Sequence, residues 1–66
     1  MALSPLIFGC SGPLLTRDEA KFFSKRQPFG FILFARNLES PSQITALCQN
    51  LRTSVGWNAP IFIDQE

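Results

Sequence analysis

The sequence predicts an α/β fold, built in the order β-α-β-α-β around a parallel sheet. Two apolar runs, Gly30-Phe31-Ile32-Leu33-Phe34-Ala35 and Ile61-Phe62-Ile63, do not alternate with polar residues. Unbroken runs of this length suit strands covered on both faces, as in a parallel sheet. Between them Ile44, Leu47, Cys48, Leu51 and Val55 recur at helical spacing and form one stripe. Strands linked by crossover helices must be parallel, and such crossovers are right-handed almost without exception.

Each element has a local reason. Residues 5–9 form a short apolar strand, closed by the turn-forming Ser11-Gly12-Pro13. Thr16-Arg17-Asp18-Glu19 is a capping box, in which Thr16 accepts from the Glu19 amide and the Glu19 side chain reaches back. Asp18 and Glu19 complement the positive start of that helix, and Lys25 and Arg26 its negative end. The helix stops near Arg26, before Pro28, because the residue preceding proline resists the helical region. The strand over residues 30–35 follows, with Arg36 and Asn37 just past its end. Ser40 caps the second helix, Pro41 takes its first position and Gln43 completes another capping box. Gly56 suits the left-handed residue that ends it. Trp57-Asn58-Ala59-Pro60 makes the turn into the last strand. Both helices cover one side of the sheet if it curls into a barrel.

Composition narrows the class. A chain of 66 residues buries only about 60% of its unfolded surface, and small independent folds usually carry disulfides or a metal. Here there are two cysteines and no histidine, so no Cys/His metal set can be assembled. A Cys10–Cys48 bridge is one reading. Cys48 lies within an apolar stripe, which favours reduced, buried cysteine acting as a small hydrophobe. The net charge of +1 gives no strong field toward nucleic acid or an acidic membrane. Arg17, Lys21, Lys25 and Arg26 cluster as a solvated helix face. Leu6-Ile7-Phe8-Gly9-Cys10 faintly resembles a lipoprotein cleavage site but lacks a basic n-region and the roughly 7–15 apolar residues of an h-region. No stretch approaches the ~20 apolar residues of a bilayer span. The expectation is a soluble, cytoplasmic protein with neither nucleic-acid nor membrane partners.

In α/β proteins the working residues sit at the carboxyl ends of strands. Asp64 and Glu66 are the paired carboxylates at such an end. Paired carboxylates can do acid/base or nucleophilic work on sugars, or hold a magnesium ion with added water. A strand-end aspartate is also often a helix cap or turn former. Arg36 can pair with a substrate anion or with the neighbouring strand-end acids, the latter organising the rim. Gly9-Cys10-Ser11-Gly12 has the wrong spacing for a phosphate-binding loop and no following lysine. No base partner for a serine or cysteine nucleophile is present. The seven phenylalanines read as core.

Two segments carry a family resemblance. Gly30-Phe31-Ile32-Leu33-Phe34-Ala35-Arg36-Asn37 resembles the G-x-I-L-F-x-R-N strand near the start of bacterial β-N-acetylhexosaminidases of glycoside hydrolase family 3. Ile61-Phe62-Ile63-Asp64-Gln65-Glu66 resembles that family's next strand, which ordinarily reads (I/V)-D-Q-E-G-G-R-V. The intervening Ser40-Pro41-Ser42-Gln43-Ile44, the helix after it and the spacing also fit. The resemblance covers nearly the whole chain and is firm from Gly30 onward.

The resemblance implies a retaining exo-glycosidase on a (β/α)8 TIM barrel. Such an enzyme removes terminal N-acetylglucosamine, notably from muropeptides during cell-wall recycling in the cytoplasm, with no metal or organic cofactor. It implies that Asp64 binds substrate by hydrogen-bonding hydroxyls of the terminal sugar. The aspartate nucleophile and the histidine-based acid/base group of the family lie in motifs these residues do not reach, so no catalytic residue is assigned here. Gln65 and Glu66 are left to loop and rim structure. A barrel of this type needs about 250 residues. Residues 1–66 are therefore expected to be the truncated N-terminal part of one catalytic barrel, inactive alone. The competing readings are a small βαβαβ binding module and the start of another (β/α)8 enzyme holding a metal through Asp64 and Glu66.

Overall fold

A computed structural model describes residues 4–64 and shows the order β1 (Ser4–Phe8), α1 (Arg17–Arg26), β2 (Pro28–Leu33), a single 3₁₀ turn (Ala35–Asn37), α2 (Pro41–Val55) and β3 (Ile61–Ile63). The strands form one sheet in the order β1-β2-β3, and both pairings are parallel. This is the predicted α/β class, the arrangement with which a (β/α)8 barrel opens. Gln65 and Glu66 lie outside the described residues.

Both helices start as their sequences dictate. The Thr16 hydroxyl accepts from the Glu19 amide at 3.1 Å, and Glu19 Oε1 accepts from the Thr16 amide at 3.0 Å. The Ser40 hydroxyl accepts from the Gln43 amide at 3.2 Å, with Pro41 opening the helix behind it. Gly56 ends α2 in the left-handed region at φ 82°. Gln27 ends α1 in the same region at φ 50°, immediately before Pro28.

The core lies on one face of the sheet. Phe31 and Leu33 of β2 are fully buried with Phe23 of α1 and with Leu47, Leu51 and Val55 of α2. Phe23 meets Phe31 edge-on, ring centroids 5.0 Å apart, and stacks on Phe8 at 6.1 Å. Strand residues alternate between faces. The register pairs Ile7 with Gly30 and Ile32 with Phe62, so these positions share the opposite face. There Ile7 and Phe62 remain 45% and 47% exposed. No helix among the described residues covers this face.

Strand β2 departs from the expected bounds. Residues 30–35 were the predicted strand, and the ladder instead runs Pro28–Leu33. At its start, proline is tolerated as the first residue of a strand because no amide is needed there. At its end, the Phe34 amide donates to Asn37 Oδ1 at 2.8 Å and turns the chain out of the sheet. Gly30 is required by close approach: a Cβ there would stand 2.7 Å from the Pro60 carbonyl oxygen, the acceptor of the Phe31 amide. Both cysteines are free, Cys10 buried and Cys48 partly so. No helix among the described residues is long and apolar enough to cross a membrane.

Candidate functional site at the strand ends

The parallel sheet brings the carboxyl ends of three strands to one edge. Cys10 follows β1, residues 34–37 follow β2 and Asp64 follows β3. The Asp64 amide donates to the Leu33 carbonyl at 2.9 Å, which fixes its backbone at the last rung of the ladder. Phe34, Ala35, Arg36 and Asp64 line a cleft of about 360 Å³ at this edge. A larger open hollow of about 810 Å³ runs along the outside of α1, lined by Arg17, Lys21, Phe22 and Lys25 among others. It lies on a helix surface away from the strand ends, so the smaller cleft is the candidate site on chemical grounds.

A buried asparagine organises the rim. Asn37 is fully buried, and its Nδ2 donates to the Gly12 carbonyl at 2.7 Å and to the Cys10 carbonyl at 3.1 Å. Its Oδ1 accepts from the Phe34 amide. One side chain thereby ties the loop after β1 to the turn after β2. Gln43 extends the clamp: its Nε2 donates to the Pro13 carbonyl at 2.6 Å and to the Asn37 carbonyl at 2.8 Å, while its Oε1 accepts from the Glu39 amide at 2.8 Å. Glu19 closes the other side of the loop by accepting from the Ser11 amide at 2.8 Å. Burial pushes the Cys10 thiol up from its ordinary pKa, and the Glu19 carboxylate adds to the shift. That thiol is a packed group, not an activated nucleophile.

Arg36 does not pair with Asp64, one of the two strand-end acids that the sequence offered it; the other, Glu66, lies outside the described residues. The sequence left it to pair with a substrate anion or with a strand-end acid. Among the described residues no ion pair joins Arg36 to Asp64. Its Nε instead donates to the Cys10 carbonyl at 3.4 Å, and its guanidinium lies over the Phe34 ring, 4.8 Å from the centroid. Asp64 stands where the sequence placed it, directly after the last strand. Glu66, the second member of the carboxylate pair, lies outside the described residues, as does Gln65. Among the described residues no cluster of three or more His, Cys, Asp or Glu side chains could hold a metal ion. The sequence revealed the capping role of Gln43 but neither its hold on the Pro13 and Asn37 carbonyls nor the clamp that Asn37 makes.

No protein-family model matches the chain. Individual proteins do. The chain is 33% identical over all 66 residues to a β-hexosaminidase of Thiobacillus denitrificans. It is 35% identical over the same span to one of Alkalilimnicola ehrlichii, and 36% identical to one of Nitrosomonas eutropha. Over all 66 residues the chain is thus similar to three proteins named β-hexosaminidase. It spans 18% of the Thiobacillus protein and 19% of each of the other two. The strand-end elements that build the cleft thus fall inside the stretch that is similar to these proteins.

Proposed function

We propose that residues 1–66 open the catalytic barrel of a retaining exo-β-N-acetylglucosaminidase of glycoside hydrolase family 3. The similarity of all 66 residues to proteins named β-hexosaminidase carries this reading. The sheet supports the barrel. Helices α1 and α2 share one core on one face, and the strand order is sequential. This is how a (β/α)8 barrel opens, with its helices outside and the other face closing on itself.

Asp64 is the substrate-binding residue of this reading. It stands at the carboxyl end of β3 and lines the cleft. An ionised carboxylate accepts strong hydrogen bonds from two neighbouring hydroxyls, as on the terminal N-acetylglucosamine. A retaining glycosidase works through a covalent glycosyl-enzyme intermediate and needs a nucleophile and an acid/base group. Both come from chain beyond these residues, and neither a metal nor an organic cofactor takes part. The substrate is an N-acetylglucosamine-containing saccharide, a muropeptide of cell-wall recycling, handled in the cytoplasm.

The test is hydrolysis by the full-length protein. It should release the aglycone from a chromogenic N-acetyl-β-glucosaminide, and the sugar should emerge with its anomeric configuration retained by proton NMR. The 66-residue polypeptide alone should release nothing. A full-length protein inert toward β-N-acetylglucosaminides would overturn the assignment, and turnover by the short polypeptide would place catalytic groups within it.

A further inference from the structure

Phe34, Ala35 and Arg36, which line the strand-end cleft with Asp64, sit on one turn, and a single buried side chain closes that turn. Asn37 Oδ1 accepts from the Phe34 amide at 2.8 Å, and the Asn37 amide donates to the Phe34 carbonyl at 2.8 Å. Both backbone groups of Phe34 are thus bonded to Asn37, and Ala35 and Arg36 are spanned between them.

The same side chain reaches both groups that hold Arg36. Arg36 Nε donates to the Cys10 carbonyl at 3.4 Å, and its guanidinium lies over the Phe34 ring, 4.8 Å from the centroid. The Cys10 carbonyl also accepts from Asn37 Nδ2 at 3.1 Å. A carbonyl oxygen has two lone pairs, so it takes both donors at once. The two bonds differ in strength. N–H···O bonds ordinarily span about 2.7–3.2 Å, which puts the Asn37 bond within the range and the Arg36 bond beyond its weak end. A shift of a few tenths of an ångström in the loop after β1 therefore breaks the Arg36 bond first. Asn37 is fully buried and Arg36 is exposed. A buried polar group with its partners satisfied keeps one arrangement, whereas an exposed arginine has many rotamers to choose from. Control thus runs from Asn37 outward to Arg36.

We propose that Asn37 is a positioning residue of the cleft: by fixing the Cys10 carbonyl and the Phe34 backbone together, it holds the Arg36 guanidinium in one orientation. Its effect on turnover rests on the glycosidase reading above, and its effect on Arg36 rests on the hydrogen bonds alone. Asn37 itself touches no substrate. It acts through Arg36, whose guanidinium donates to an oxygen of the saccharide.

The experiment has two readouts in the full-length protein. The first needs no substrate. In protein labelled with ¹⁵N-arginine, the Arg36 Nε–H resonance is the one that disappears in Arg36→Gln. In Asn37→Ala that resonance should move to the position of a free arginine side chain and exchange with water at least about 10-fold faster. An unmoved resonance in folded Asn37→Ala overturns the proposal. Gln43→Ala loosens the clamp from its far side by losing the donations to the Pro13 and Asn37 carbonyls, and should shift the same resonance by less. It decides the matter where Asn37→Ala does not fold, and an unmoved resonance there overturns the proposal too. The second readout is KM for a chromogenic N-acetyl-β-glucosaminide, which does not depend on how much of the protein is folded. Arg36→Gln and Asn37→Ala should each raise KM about 10-fold, the loss of one hydrogen bond from a charged group. The double variant should raise it no further than Arg36→Gln alone, because both changes remove the same contact. An unchanged KM in Asn37→Ala, or two effects that multiply in the double variant, makes Asn37 a stabilising residue only and overturns the proposal. A parent protein that leaves the glucosaminide intact overturns the glycosidase reading, and the arginine resonance then still decides whether Asn37 orients Arg36.

Discussion

The Asp64 amide donates to the Leu33 carbonyl at 2.9 Å, one residue past the last paired position, Leu33 with Ile63. The carboxylate is therefore the first side chain beyond the sheet, carried by backbone that the ladder still holds. Side chains on such rigid supports keep their geometry better than those on free loops. Among the described residues no hydrogen bond reaches the carboxylate itself. Asp64→Ala in the full-length protein should lower kcat/KM about 10- to 150-fold, the loss of one charge-assisted contact in the transition state. Stability should change by no more than about 0.5 kcal/mol. Kinetics and thermal unfolding of the same preparation check both halves. Wild-type kcat/KM would reduce Asp64 to a strand-end turn former.

In stability Asn37 is expected to behave in the opposite way. Its side chain satisfies the Cys10 and Gly12 carbonyls and the Phe34 amide from a fully buried position. Asn37→Ala leaves those groups without their partner and should cost about 2–4 kcal/mol. Asn37→Asp keeps an acceptor for Phe34 but turns a negative oxygen toward two carbonyls, so it should be no better. Urea unfolding midpoints at neutral pH measure the loss. An aspartate variant as stable as the parent would mean that the donor half of the clamp contributes nothing.

These two residues show what the sequence could and could not reveal. Asp64 was legible because its position follows from one local fact, the end of an apolar run. The capping boxes at Thr16 and Ser40 were legible for the same reason, since each closes within three residues. Asn37 was not, because its acceptors lie 25 and 27 residues away and a polar residue after a strand ordinarily reads as exposed turn. The error in β2 has the same source. Hydrophobicity continues through Phe34 and Ala35, but the Asn37 side chain captures the Phe34 amide and ends the ladder two residues early. Arg36 illustrates a competition that no pattern ranks: among the described residues it meets the Phe34 ring and the Cys10 carbonyl and forms no ion pair with Asp64.

Gly30 offers a test of how tightly β2 meets the turn before β3. An added Cβ would sit 2.7 Å from the Pro60 carbonyl oxygen, closer than real contacts allow, and that oxygen is backbone that accepts from Phe31. Gly30→Ala should therefore push the two segments apart and destabilise by about 1–3 kcal/mol. Gly12→Ala is the control. Nothing lies within 4 Å of a Cβ there, and the change should fall within about 0.5 kcal/mol. Equal midpoints for the two variants would show that the sheet absorbs the clash.

Acid should loosen the loop after β1 through Glu19. Burial works to raise its pKa, but the amides of Thr16 and Ser11 donate to its two oxygens and together hold it below the ordinary value. A carboxylate with a lowered folded-state pKa binds protons more readily when unfolded. Its stabilisation is thus fully present above the unfolded pKa, near pH 4–5 for a free glutamate. It is lost as the pH falls through the lower folded value. Glu19→Gln keeps the shape of the side chain without the charge and should flatten that acid limb while costing stability at neutral pH. Unfolding midpoints measured from about pH 7 to pH 3 for parent and variant give the comparison. Two curves that fall in parallel would mean that other carboxylates set the acid response and that the Ser11 and Thr16 contacts hold no preference for the ionised form.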